Sequence, residues 1–131
     1  MSHHLPELRE ALLTLHKTLV DSERISYEQT IGTIPSPNHF LQQLINDPWF
    51  AWMHPISELV VKMDQALDSK RKPLTDAEAE ALVKQTRQLL VASEEGEGFP
   101  KHYFDALQRD PGVVMAHAAA AKFFAIKKRG G

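Results

Sequence analysis

Both tryptophans of the chain, two prolines and a histidine four residues ahead of a glutamate fall within Asn46-Asp47-Pro48-Trp49-Phe50-Ala51-Trp52-Met53-His54-Pro55-Ile56-Ser57-Glu58-Leu59. One helical turn would bring His54 and Glu58 to one face, where an imidazole and a carboxylate could share a proton or offer two atoms to a metal. Trp49, Trp52 and Met53 beside them would supply the apolar walls of a small-ligand site. The same residues also suit a wedge that closes a helical core, and this is the favoured expectation.

Seven histidines extend the metal question to the whole chain. Di-iron carboxylate bundles need Glu-x-x-His on two helices together with further carboxylates, and no Glu-x-x-His occurs here. The pair His54 and Glu58 resembles one piece of a hemerythrin ligand set, but there is no His-x-x-x-His, and His16, His102 and His117 have no carboxylate at a spacing that completes a set. The expectation is no metal and no cofactor. His54 then reads as a helix N-cap, or as a partly buried imidazole tied to a backbone carbonyl or to Glu58.

The remaining candidates are weaker. His3, His4, His39 and His102 read as surface residues, and His117, in an alanine-rich stretch, as a packed or interfacial one. Glu23, Tyr27 and Glu28 lie on neighbouring helix faces and could frame an acid and base site, although near the end of a long helix such groups are ordinarily solvated. No Gly-x-Gly-x-x-Gly, Gly-x-x-x-x-Gly-Lys, His-Glu-x-x-His or Gly-x-Ser-x-Gly is present, so the common nucleotide, metalloprotease and hydrolase signatures are missing.

The elements that must position these residues are helical. Leu5, Leu8, Leu12, Leu15 and Leu19 recur at steps of three and four, with Leu13, Val20 and Tyr27 widening the stripe, which predicts a core-facing helix from about Pro6 to about Gln29. Pro35 and Pro37 interrupt it. Ser36 can cap a short helix from Pro37 to near Asn46 that carries Phe40, Leu41, Leu44 and Ile45 on one side. Asp47-Pro48 repeats the cap-and-proline pattern and places Trp49, Phe50 and Trp52 on a single turn or short helix. From Pro55, the positions Ile56, Leu59, Val60, Met63 and Leu67 follow helical spacing as far as Lys70-Arg71-Lys72-Pro73. Thr75 and Glu78 form a capping box for a fourth helix with Ala79, Leu82, Val83, Thr86, Leu89 and Leu90 inward. The acidic stretch 93–98 reads as a flexible linker. Beyond it, Phe99-Pro100 and Asp110-Pro111 open two further helices, the last running from about Pro111 to about Lys128. No strand alternation and no internal repeat is found. The predicted fold is all-α: one domain over 1–131, a bundle of about five to six helices with four long ones as its frame, and flexible ends at 1–4 and 129–131.

Composition bounds the partners. With 131 residues, 43% of them hydrophobic and 24% charged, the chain suits one globular domain, and the absence of cysteine removes disulfides, thiol nucleophiles and thiolate metal sites. No segment approaches the roughly 18 apolar residues of a membrane span, and the N-terminus lacks a signal-peptide layout. No membrane association and a cytoplasmic location are expected. A formal net charge of -2 offers no global field for nucleic acid. The basic groups Lys70-Arg71-Lys72 and Lys122, Lys127, Lys128 and Arg129 read as local charge compensation at helix ends.

The opening run, Asn46-Asp47-Pro48-Trp49-Phe50-Ala51-Trp52 followed by His54-Pro55-Ile56-Ser57-Glu58-Leu59, resembles a segment of small bacterial helical proteins described only as uncharacterised domains. The resemblance implies a bacterial, cytoplasmic, all-helical protein and no activity. Two functional expectations stand side by side. The favoured one is a non-catalytic interaction or regulatory module that pairs with itself or with another protein, through the alanine-rich last helix or through aromatics at Trp49, Phe50, Phe99, Phe123 and Phe124. The alternative is a ligand- or metal-binding bundle with a pocket at Trp49, Trp52, Met53, His54 and Glu58, into which His16 or His117 reaches.

Overall fold

A computed structural model describes residues 4–68 and 72–124. Among them are seven helices and no strand: α1 (Leu5–Thr30), α2 (Pro37–Asn46), α3 (Pro48–Ala51), α4 (His54–Asp68), α5 (Asp76–Leu89), α6 (Phe99–Arg109) and α7 (Pro111–Ala121). The all-α expectation holds, with one helix more than the upper number expected, because the turn after Asp47 closes as an element of its own. The boundaries are set by local chemistry. Ser36 accepts from the His39 amide, Asp47 from Trp49 and Asp110 from Gly112, while Thr75 and Glu78 complete the reciprocal box, each satisfying amides that a helix start leaves without partners. Gly98, at φ +65°, turns the chain into α6 through a conformation that side chains with a Cβ rarely adopt.

The helices are organised around a hub. α1 packs along α7 and α4 and also meets α3, α5 and α6. Its stripe Leu5, Leu8, Leu12, Leu15 and Leu19 is fully buried, and at about 1.5–3 kcal/mol for each such side chain this stripe is the chief apolar contribution of a single helix. α7 runs antiparallel to α1: Gly112 lies beside Thr18 at one end and the Phe123 ring beside His4 at the other. α4 is antiparallel too, pairing Asp64 with Arg9. Buried apolar side chains of every helix except α2 join one core cluster, against which α2 lays only Phe40 and Leu44.

Several expected inward positions are not inward. Leu13, Leu41 and Ile45 are exposed; α2 is only half sunk, with no fully buried side chain of its own. The last helix ends, within the described residues, at Ala121 and is followed by a turn through Lys122, Phe123 and Phe124. Its expected continuation to Lys128, the basic residues Lys70, Arg71, Lys127, Lys128 and Arg129, and the ends 1–3 and 129–131 lie outside the described residues. No helix of the described residues is long and apolar enough to cross a membrane.

Candidate functional site

The tryptophan run divides into two destinations. Trp49 turns toward α1, where its indole N–H donates to Glu23 Oε1 at 3.0 Å. Glu23 is buried, and its other oxygen accepts from Arg109 Nη2 at 2.8 Å. The same guanidinium donates to the Ser22 hydroxyl from Nε and Nη2, at 3.2 and 3.0 Å. One carboxylate thus joins α1, α3 and α6, with both of its oxygens and both donors satisfied. Of the three residues that could have framed an acid and base site, Glu23 is locked here, Glu28 accepts the Ile34 amide and Tyr27 accepts from Gln43 Nε2. They do not converge.

Trp52 goes the other way. Its ring stacks on His102 at 5.4 Å and meets the edge of Phe99 at 5.3 Å; Phe99 in turn packs on Tyr103. The fully buried Tyr103 hydroxyl lies 2.6 Å from His117 Nδ1. Burial pushes the Tyr103 phenol up and the His117 imidazole down, so both stay neutral. The Trp52 indole N–H is buried without a hydrogen-bond partner among the described residues.

His54 begins α4 and points into a third place. Its Nε2 lies 2.8 Å from the Leu44 carbonyl oxygen, which can only accept, so neutral His54 carries its proton on Nε2 and keeps a lone pair on Nδ1. Facing it from α1 is His16, whose pKa is lowered by burial and further by the neighbouring His54 ring. The two imidazoles line a cleft of about 320 Å³ between α1, α2 and the start of α4, walled by Leu44, Ile45, Phe50 and Met53. Ser57 completes the lining and spends its hydroxyl proton on the His54 carbonyl.

The structure therefore brings together Met53 and His54 of the predicted pocket with His16, one of the two histidines expected to reach in, while His117 lies against the Tyr103 hydroxyl. Trp49 and Trp52 are held elsewhere. Glu58 is exposed beside Lys62, Gln85 and Leu89, toward α5, and does not line the cleft. Among the described residues no group of three or more His, Asp or Glu side chains is assembled to hold a metal ion. Glu23 and Ser22 were legible in retrospect, because they continue the three-and-four stripe of Leu12, Leu15 and Leu19. Arg109, far along the chain, gave no such signal.

The aromatics expected on the surface are tucked in. Phe50 is fully buried, which removes it from any contact surface, and Trp49, Phe99, Phe123 and Phe124 are half-buried against the core. The exposed apolar face lies on α7. From Pro111 to Ala121 its only polar side chain is His117, and while Val113, Ala116 and Ala120 are buried, Val114, Met115, Ala118 and Ala119 face outward, Met115 at 74% exposure. Comparison of the chain with protein-family models, curated proteins and solved structures gives no match.

Proposed function

We propose that this protein is a non-catalytic interaction module that pairs with a second copy of itself through the outward face of α7. What carries the reading is a helix whose side chains other than His117 are all apolar and which is buried on only one face. Helices of that kind are ordinarily enclosed. Ala118 and Ala119 permit close approach of another backbone, Val114 and Met115 flank them, and a two-fold axis across the face would set each residue against its own copy's neighbours. A single three-turn face is smaller than the standard interface of about 800 Å² per partner. Association is accordingly weak and concentration-dependent.

Sedimentation velocity across the micromolar to millimolar range tests this. The 14.8 kDa chain is expected to shift toward twice its mass, and Met115→Glu, at an exposed position, to weaken the pairing about tenfold or more, equivalent to about 1.4 kcal/mol. A wild-type chain that stays monomeric at every concentration would remove the proposal.

A further inference from the structure

The cleft beside His54 is the part of the molecule that the α7 reading leaves unused, and its chemistry is one-sided. Its walls are apolar and its polar atoms are two imidazoles and a hydroxyl whose proton is already given to a backbone carbonyl. No permanent charge lines it. On α1, Arg9 is paired with Asp64 of α4, Lys17 is exposed and Arg24 lies over the Phe40 ring. On α4, Glu58 faces the α5 flank and Lys62 reaches Gln85. α3 has no titratable group, and the single one on α2, His39, is exposed in its first turn.

A ligand that fits such a place has an apolar body and one polar end. A cation would find no carboxylate, and a neutral amide would gain ordinary hydrogen bonds alone. An anion gains more, because an imidazole that takes up a proton becomes a charge-assisted donor aimed at it. We propose that the cleft between α1, α2 and α4 binds a small apolar monocarboxylate, its carbon chain against Leu44, Ile45 and Met53 and its carboxylate on the His16 imidazole, beside the ring of His54. The Nε2 of His54 stays on the Leu44 carbonyl, so the proton that the carboxylate calls for is taken up at His16. His16, whose charge burial disfavours, gains a reason to protonate once a carboxylate is beside it. Binding is therefore linked to proton uptake.

Hexanoate is a suitable probe, with hexanamide as its uncharged counterpart, followed through the imidazole carbon-bound proton signals of His16 and His54 by NMR. Hexanoate is expected to shift both signals and to lose affinity about tenfold for each pH unit above the imidazole range, the linkage of one proton. Ile45→Glu, at the exposed rim, keeps the fold and places a like charge at the mouth; it should weaken hexanoate binding severalfold or more. His16→Gln should remove most of the pH dependence, and if that variant does not fold, the rim variant decides alone. Equal affinity for hexanamide, binding unaffected by Ile45→Glu, or no hexanoate-induced shift would each overturn the proposal. So would Zn²⁺ shifting both signals in a chain indifferent to hexanoate, which would reassign the two imidazoles to a metal.

Discussion

His16 and Glu23 stand seven residues apart on α1, two turns along the same side of the helix, and they meet opposite fates. Glu23 is closed in by partners that arrive from α3 and α6, so that a buried carboxylate becomes a joint. His16 meets one other imidazole and an open cleft. A buried charge must be paired or it does not stay charged, whereas a buried imidazole solves the same problem by giving up its proton. The difference teaches where to look for function on this helix: the fully satisfied group holds the fold, and the group left neutral and uncovered is where the proposed ligand would sit.

The wall between the two regions is Phe50, which lines the cleft and packs on Tyr27, itself edge-on to Trp49. Phe50→Ala should lower stability by about 3–5 kcal/mol, the range for deleting a buried phenyl ring, and should disturb both regions together. Urea unfolding followed by tryptophan fluorescence measures this, and a loss below about 1 kcal/mol would show that the two regions do not share a wall.

Glu23→Ala separates them. Removing the carboxylate strands the Trp49 N–H and the Arg109 guanidinium, and because Arg109 keeps 36% of its side-chain surface in water the cost is expected at about 2–3 kcal/mol rather than that of a fully buried pair. The emission of Trp49 should change while the His16 and His54 NMR signals stay in place. Movement of those signals would mean that lock and cleft are one coupled unit.

The smallest effect is expected at His16. Its folded pKa is lowered, so between that value and the ordinary one of about 6.5 the unfolded chain holds more protons. The stability contribution is fully present above that ordinary value and is lost as pH falls. His16→Leu should change stability at neutral pH by about 1 kcal/mol or less and flatten the decline toward acid. His117, also lowered by burial, keeps its own share of that decline. An unaltered acid slope in His16→Leu would show that His16 is not held neutral.

The helices were legible because their signals are local. Prolines after capping residues at Ser36, Asp47 and Asp110, and the box at Thr75 and Glu78, depend on neighbours within four residues. The site was legible in part. His54 could be read as tied to a backbone carbonyl, and Met53 as a wall, since both follow from the start of α4. Pairing His54 with Glu58 failed because spacing along a helix says that two residues share a face and not which neighbour covers each of them. Leu41 and Ile45 were expected inside for the same reason: an amphipathic pattern marks a face for burial, and how deeply the helix sinks depends on what else competes for the core.

What the sequence by itself determined is the set of helices, their ends and the leucine stripe of the hub, all consequences of backbone hydrogen bonding and periodicity that act within a few residues. What only the tertiary structure decided is which polar groups on that hub are answered. Arg109 reaches Glu23 across 86 positions of chain, and among the described residues the cleft at His16 stays open. Such meetings are set by how the helices share one core, because a side chain's burial and charge depend on everything packed around it.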